Sequence, residues 1–253
     1  MNRHFHVGTS GWSYDDWAGV FYPEGVKGSG RLPYYATIFD TVEINATFYR
    51  LPNQTMIDAW NRNLPGGFHL VVKGSRTITH LKKLRECDEP LGAFWERVRG
   101  LRALRVVLWQ LPPSLPKDLD RVDAFLARLS GLSSPSGQAA VRHAVEFRHA
   151  SWWDDEVIAL LKRHAAALVA VSHPALPGSV HPTTDFLYVR FHGLGKQLYR
   201  YDYSRRELSD WAARLAPHLG GRELYAFFNN DYDARAPRNA LLFRALLGGE
   251  DCA

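Results

Sequence analysis

Short apolar runs that end in polar residues recur along the whole chain and predict eight β-strands. These runs cover residues 6–10, 41–45, 68–73, 105–110, 144–148, 167–172, 187–192 and 224–229. Between most of them, apolar residues spaced three and four apart predict amphipathic helices, which begin near Leu32, Leu91, Val122, Val157 and Leu208. Each apolar helix stripe must pack against an apolar surface, and a parallel sheet offers one on both faces.

Three local signals mark where some of these helices begin. Ser204 and Glu207 have the spacing of a capping box, and Ser151 precedes Asp154 at a similar spacing. Pro237 suits a first helical turn, because the N–H that proline lacks has no partner there. Local signals and long-range periodicity therefore agree.

The alternation of strand and helix predicts one α/β domain, residues 1–253, folded as a (β/α)8 TIM barrel. An open doubly wound sheet is the alternative, which the lack of a G-x-G-x-x-G turn after the first strand disfavours. Residues 172–185 hold three prolines and no helical pattern, so the sixth βα unit is predicted to be irregular. Pro217 is predicted to end or kink the seventh helix. The Ser- and Gly-rich stretch 130–137 is predicted to be a surface connection.

Charged and amide side chains gather at the ends of the predicted strands, where the loops of a TIM barrel build the active site. Glu43, Glu146 and His192 are the predicted catalytic residues, because ionisable groups at such places need a specific partner or a role. Residues two apart on a strand share a face, so further polar side chains point the same way. The predicted substrate-binding residues are Ser10, Trp12, Asn45, Lys73, Gln110, Arg148, Arg190, Asn229, Asn230 and Asp231.

The chemistry of these side chains suggests roles for them. Glu43 or Glu146 would act as general base or acid, and the charge of His192 would change near neutral pH. Lys73 and the arginines would hold an anion. The alternative is a structural network in which glutamates and arginines satisfy one another.

Aromatic and basic residues crowd the neighbouring loops. The aromatic set is Trp12, Tyr14, Trp17, Phe21, Tyr22, Trp152, Trp153, Tyr199, Tyr201 and Tyr203. These rings would stack against a base or a sugar, or else pack in the core. The basic segment 74–83 after the third strand would contact phosphates or remain solvated.

Composition narrows the classes of function. A formal net charge of +5 and an isoelectric point near 9.2 favour an anionic small molecule or a nucleic acid as partner, although a solvated basic surface gives the same values. Cys87 and Cys252 predict no disulfide, and no apolar run approaches the roughly 18 residues of a membrane helix. Residues 1–4 leave no room for a signal peptide, so we predict a cytoplasmic protein.

Metal and cofactor motifs are missing from the sequence. There is no H-E-x-x-H, no cysteine pair and no Walker loop, so no metal ligand is assigned and the cofactor stays open. A site assembled from Glu43, Glu146, His192 and Asp231 is the remaining way to bind a metal. The sequence does not determine the oligomeric state.

Motifs along the whole chain have a specific order: GTSGWSY (8–14), VEIN (42–45), TFY (47–49), ITH (78–80), QLPP (110–113), EFRH (146–149), YVRFHG (188–193) and FNND (228–231). In these motifs the chain resembles the YecE-like family, also called domain of unknown function family 72. The resemblance implies a TIM barrel and no assigned reaction. In that family we expect an acidic residue after the sixth strand, where this chain has Ser172 and His173. If the acid serves the chemistry, this member is altered.

Together these features predict an enzyme, a hydrolase or lyase, that binds a nucleotide, nucleic acid or sugar phosphate and uses carboxylate acid–base chemistry. A glycosidase is one alternative, and it requires the two carboxyl groups to lie about 5–9.5 Å apart. A non-catalytic nucleic-acid-binding or regulatory module is another, whose affinity would fall steeply with salt.

Overall fold

The computed structural model describes residues 5–132 and 139–248, in which eight parallel strands form one sheet. The strands are β1 (Phe5–Thr9), β2 (Thr41–Ile44), β3 (His69–Lys73), β4 (Leu104–Gln110), β5 (Arg142–Glu146), β6 (Ala167–Ser172), β7 (Phe186–Phe191) and β8 (Glu223–Phe228). Their order is β1-β8-β7-β6-β5-β4-β3-β2. A parallel bridge between Ser10 and Glu43 joins the two ends of this order, so the sheet is a nearly closed barrel. The predicted (β/α)8 fold is confirmed.

Helices surround the barrel and follow most strands. They are α1 (Arg31–Ile38), α2 (Ala46–Tyr49), α3 (Gln54–Asn63), α4 (Asp88–Val98), α5 (Leu119–Ser130), α6 (Asp155–Arg163), α7 (Arg205–Leu219) and α8 (Arg235–Gly248). No helix lies between β6 and β7, where all residues are described, so the irregular sixth unit is confirmed. The sequence prediction missed α3, although Asn53 caps it by accepting from Met56 N–H over 2.9 Å.

The helix start signals hold in one case and fail in another. Ser204 and Glu207 form the predicted capping box before α7. The signal read from Ser151 is wrong, because α6 begins after Asp154, whose side chain accepts from Val157 N–H over 3.0 Å. Helix α7 continues past Pro217 for two residues and ends at Leu219.

The hydroxyl of Tyr35, on α1, fills the seam between β1 and β2. Thr9 N–H donates to this hydroxyl over 3.0 Å, and the hydroxyl donates to the Thr41 carbonyl over 3.1 Å. A Cβ atom added to Gly8 would lie 2.5 Å from that carbonyl oxygen. Glycine is required there because the two strands approach too closely for a side chain.

Apolar side chains fill the middle of the barrel, and polar side chains occupy both of its ends. The inner cluster consists of Val71, Val106, Leu108, Ala144, Ala167, Val169, Val171, Phe186, Tyr188, Tyr225 and Phe227. A larger cluster fills the layer between strands and helices. Because side chains alternate along a strand, residues before and after the inner cluster at even spacing also face inward.

Other sequence predictions concern single residues and termini. None of the helices in residues 5–132 and 139–248 combines the length and apolarity needed to cross a bilayer. Cys87 is a buried free thiol that donates to the Leu84 carbonyl over 3.5 Å. Cys252, residues 1–4 and most of the connection predicted over 130–137 lie outside the described residues.

Candidate active site at the barrel mouth

A buried arginine joins two buried glutamates at the C-terminal end of the barrel, which we call the barrel mouth. Arg190 Nη2 donates to Glu43 Oε1, and Nη1 donates to Glu146 Oε2, both over 2.6 Å. None of the three side chains is more than 1% exposed. Buried charges are tolerated only when paired in this way. The ends of β2, β5 and β7 therefore converge on one ion-pair network, as predicted for strands of a barrel.

Two neutral groups complete the environment of Glu43. Ser10 Oγ donates to Oε1 over 2.7 Å, and the Tyr188 hydroxyl donates to Oε2 over 2.6 Å. Burial and the Glu43 charge raise the pKa of Tyr188 well above its ordinary value, so it remains a donor. Tyr188 was missed by the sequence analysis, although it lies two positions before Arg190 and therefore on the same face of β7.

Glu146 is the most strongly charge-stabilised carboxylate of this network. Its Oε1 accepts from Arg148 Nε and lies 3.4 Å from His192 Nε2. Burial alone would raise the pKa of Glu146, but Arg148 and Arg190 outweigh it and hold this pKa well below the ordinary value. Glu146 is therefore an anion at neutral pH.

His192 is held between a guanidinium and an amide. Arg148 Nη2 donates to its Nε2 over 2.8 Å, and the Asn229 amide lies 3.2 Å from its Nδ1. Burial and the Arg148 charge lower the pKa of His192 to about 3. The ring is neutral at pH 7, so its charge does not change near neutral pH as the sequence suggested.

Lys73 ends β3 beside this network. Its ammonium nitrogen lies 4.3 Å from the centroid of the Phe48 ring, a cation–π contact. Burial and then the Arg190 charge lower the pKa of Lys73 to about 8. His80 packs edge-on against the same ring at 4.8 Å, and burial and Lys73 lower its pKa to about 4. Lys73 is thus the cation of this network that titrates closest to neutral pH.

Three polar side chains of the predicted set take part in no side-chain hydrogen bond among the described residues. Within residues 5–132 and 139–248, no side-chain hydrogen bond involves Asn45, Lys73 or Gln110. Asn45 Oδ1 is fully buried and without a partner. A buried amide oxygen without a partner is costly, which suggests that something else satisfies it.

Asn230 is held by the fold and does not reach the ion-pair network. Its Nδ2 donates to the Tyr201 carbonyl over 2.8 Å and to Asn239 Oδ1 over 2.7 Å. These contacts anchor the segment after β8 to the segment after β7 and to α8. The geometry supports a positioning role for Asn230 more than contact with a substrate.

Asp231 follows β8 and Trp12 follows β1, at the same end of the barrel. The Asp231 carbonyl accepts from Trp17 Nε1 over 2.6 Å, and burial raises the pKa of the Asp231 carboxyl. Trp12 is half-buried and contacts Trp60 edge-on at 6.0 Å. Their assignment to substrate binding stays a prediction.

Most of the aromatic residues predicted as stacking walls pack in the core. Trp17, Tyr22, Trp152 and Tyr203 are buried, whereas Tyr199 is 52% exposed. The Tyr203 hydroxyl donates to Ser172 Oγ over 2.8 Å, so Ser172, found where an acid was expected, has a structural partner.

The metal site considered for the mouth does not assemble. In the described part of the chain, the one group of three His, Cys, Asp or Glu side chains close enough to share an ion is His6, His69 and Glu223. That group belongs to the opposite end of the barrel. At the mouth, Arg190 bridges the two carboxylates, and Arg148 pairs with Glu146.

Sequence comparison gives the family. The profile described as "Protein of unknown function DUF72" matches residues 6–252. The chain belongs to the DUF72 family. This DUF72 chain is 24% identical to UPF0759 protein YunF of Bacillus subtilis, over 96% of the chain and 94% of that protein. It is 30% identical to UPF0759 protein YecE of Escherichia coli K12 over 146 residues, 57% of the chain and 48% of that protein.

Solved structures agree with this membership. A DUF72 family protein from Thermotoga maritima superposes with a TM-score of 0.81 at 33% identity, over 96% of this chain and 99% of that one. A DUF72 family protein from Enterococcus faecalis superposes with a TM-score of 0.78 at 21% identity, over 96% of this chain and 95% of that one, and shows the same fold. The family resemblance found in the motifs is confirmed. The names of these relatives state no biochemical activity.

Proposed function

We propose that this DUF72 protein is an enzyme whose barrel mouth binds an anionic, phosphate-bearing substrate. The observation that carries the proposal is an unbalanced charge. The network contains three cations, Lys73, Arg148 and Arg190, and two carboxylates, Glu43 and Glu146. One positive charge is left over, because His192 is neutral. In residues 5–132 and 139–248, no acceptor takes a hydrogen bond from the Lys73 ammonium, so this charge is free to meet an anion.

Neighbouring groups suit the oxygens of a phosphate. The Arg148 side chain is 14% exposed and keeps donors beyond those given to Glu146 and His192. The amides of Asn45 and Gln110 end the strands on either side of Lys73 and have no side-chain hydrogen bonds among the described residues. A phosphate offers enough acceptor oxygens for the N–H groups of these side chains, whereas the buried Asn45 Oδ1 is itself an acceptor and needs a donor from another part of the substrate.

Proton transfer is assigned to Lys73 in this proposal. An amine with a pKa of about 8 is partly unprotonated near neutral pH and is therefore able to accept a proton from the water that attacks the phosphorus of a bound phosphate ester. Glu146 has a low pKa and several donors, which makes it a weak base. Glu43 is likewise saturated by Ser10, Tyr188 and Arg190. We assign both glutamates to holding the arginines, although the sequence suggested them as acid or base.

The glycosidase alternative gains less support from this geometry. That chemistry needs a carboxylic acid whose pKa is raised so that it protonates the leaving group. Arg148 and Arg190 have the opposite effect on Glu146. The two carboxylates also share one buried arginine, which leaves no space for a sugar between them.

A nucleic-acid-binding module remains a second candidate because of exposed tyrosines around the mouth. Tyr49, Tyr199 and Tyr232 are 72%, 52% and 41% exposed, and they follow β2, β7 and β8. The Arg200 guanidinium lies 4.2 Å from the Tyr232 ring centroid. Exposed rings beside arginines suit base stacking on a single strand.

Phosphate binding tests the proposal directly. We expect inorganic phosphate, titrated calorimetrically at constant ionic strength, to bind the wild type and to bind Lys73→Met and Arg148→Met at least about tenfold more weakly. Lys162→Met, on the last turn of α6 at the opposite end of the barrel, is the matched control and should bind as the wild type does. Equal phosphate affinity in Lys73→Met and wild type would refute the site.

Turnover separates the enzyme from the binding module. At saturating substrate, where weaker binding no longer limits the rate, we expect hydrolysis of bis(p-nitrophenyl) phosphate to rise with pH through about 8 and to be lost in Lys73→Met, since the free amine takes the proton of the attacking water. A labelled single-stranded oligonucleotide that binds Lys73→Met and wild type equally, with no turnover in either protein, would favour the module.

A further inference from the structure

Two histidines and a glutamate meet at the N-terminal end of the barrel, opposite the mouth. His6 lies on β1, His69 begins β3 and Glu223 begins β8. One possible ligand atom from each lies within 4.8 Å of the other two. The rings of His6 and His69 are stacked with centroids 3.8 Å apart. The proposed function uses none of these residues.

His6 has one satisfied and one unsatisfied ring nitrogen. Nδ1 lies 3.1 Å from Asp40 Oδ2, and because an ionised carboxylate only accepts, Nδ1 carries the proton. Nε2 is buried and has no hydrogen-bond partner, and His6 as a whole is 4% exposed. Glu223 Oε1 lies 3.5 Å from this Nε2. With its proton on Nδ1, the His6 ring can present the Nε2 lone pair next to a carboxylate, and a cation between them would satisfy both groups.

His69 is oriented in a similar way. Its Nδ1 lies 2.7 Å from the Tyr225 hydroxyl, which also accepts from Arg142 Nη2 over 2.6 Å. When Nδ1 donates to this hydroxyl, the Nε2 lone pair of His69 is free to bind a metal ion. Neutral imidazole is the form that binds metals.

Glu223 has one oxygen engaged and one open. Arg142 Nη1 pairs with Oε2 over 2.6 Å, which leaves Oε1 facing His6. Glu223 is therefore an anion whose free oxygen is available as a ligand.

We propose that His6 Nε2, His69 Nε2 and Glu223 Oε1 bind a divalent first-row transition metal ion, with zinc as the best match. Two imidazoles and one carboxylate form a donor set that zinc accepts in tetrahedral geometry. Asp40 and Tyr225 supply the contacts to the other ring nitrogens that metal-binding histidines regularly have. Tetrahedral ligands about 2.1 Å from zinc lie about 3.4 Å apart, so binding turns the two rings and draws the three groups together.

The position of the site gives it a structural role. The seam between β1 and β2 lacks a regular ladder of hydrogen bonds, and it is bridged near the mouth by Ser10 and Glu43. His6 belongs to β1 and His69 to β3, so a metal ion would tie the two sides of this seam at the other end of the barrel. A bound ion would therefore stabilise the closed barrel.

Zinc binding to the full-length protein is the test. Protein stripped with chelator and then desalted should take up one equivalent of Zn²⁺ in a calorimetric titration. Its melting temperature should rise with the concentration of free zinc. Co²⁺ bound in place of zinc should give the visible absorption spectrum of a tetrahedral site. His69→Ala and Glu223→Gln should bind zinc at least about a hundredfold more weakly, since each removes a ligand. His164→Ala is the matched control, because His164 contacts Asp123 on the helical surface, and it should bind zinc as the wild type does.

A variant that keeps all three ligands distinguishes weaker zinc binding from misfolding. Tyr225→Phe removes only the hydroxyl next to His69 and should weaken zinc binding about tenfold or more while retaining one equivalent. Far-UV circular dichroism checks that each variant folds. Substoichiometric zinc in the wild type, or unchanged affinity in the folded ligand variants and in Tyr225→Phe, would overturn the site.

Discussion

The Arg190 guanidinium lies 2.6 Å from the Glu43 carboxylate, and both side chains are buried completely or nearly so. This pair connects β7 to β2 across the barrel interior, and Glu146 holds the same arginine from β5. A buried charge left without its partner is far more costly than a surface charge, because water cannot replace the partner. The site proposed at the mouth is therefore built from residues that also stabilise the fold.

Loss of the central arginine should destabilise the protein strongly. We expect Arg190→Met to lower the free energy of unfolding by about 3–5 kcal/mol, since Glu43 and Glu146 would be buried without their shared cation. Urea denaturation measures this change. Arg128→Met, which breaks the exposed pair with Asp88, is the control and should cost less than about 1 kcal/mol. Equal losses in the two variants would contradict the network.

Low pH should decrease the free energy of unfolding, because Glu146 becomes protonated. Its pKa is lower in the folded state, so its contribution to stability is present above the unfolded pKa of about 4.3 and is lost as the pH falls through the folded value. We expect Glu146→Gln to be less stable than wild type at pH 7, with the difference shrinking below about pH 4.3. Urea denaturation at a series of pH values tests this, with exposed Glu156→Gln as the control. A difference that grows with acid would count against the assigned charge state.

The Lys73 amine should titrate far below an ordinary lysine. NMR of ¹³C-labelled lysine should give Lys73 a pKa of about 8, and phosphate affinity should fall as the pH rises through that value because the ammonium loses its charge. A hydrogen bond to Asp154 raises the pKa of Lys117, so the Lys117 signal should stay constant over the same range. A Lys73 signal that does not move below pH 10 would remove the proposed base.

The barrel seam should be sensitive to one hydroxyl. Tyr35→Phe leaves the Thr9 N–H and the Thr41 carbonyl buried without this partner, and we expect it to cost about 2–4 kcal/mol. Tyr34→Phe is the matched control, because no hydrogen bond of its hydroxyl occurs in the described ranges, and it should change stability by less than about 0.5 kcal/mol. Thermal and urea unfolding would both report the difference. Similar stability in the two variants would mean that the seam does not depend on Tyr35.

Much of the fold could be predicted because its signals are local. Strand periodicity, the Ser204 capping box and the prolines of 172–185 depend on neighbouring residues, and the structure agrees with each. The failures were local too. Helix α3 buries only Ile57 and Trp60, too few apolar residues to show a repeated helical spacing. The Ser151 hydroxyl accepts from the Lys117 N–H and does not cap α6.

The candidate site was predicted only in part. Strand ends and even spacing identify Glu43, Glu146 and Arg190 as neighbours in a barrel, because parallel strands bring their C-terminal ends together. Their partners could not be predicted, since a hydrogen bond between β2 and β7 depends on barrel closure and side-chain rotamers. The cluster of His6, His69 and Glu223 was missed for the same reason, because its members begin strands far apart in the chain.

By itself, the sequence determined the alternation of strands and helices, the family and the set of polar residues at the strand ends. Only the tertiary structure decided which charges cancel, which one stays free at Lys73, and which nitrogen of His6 lacks a partner. The physical reason is that pairing, burial and pKa depend on distances of a few ångströms between strands that are neighbours only after the barrel has closed.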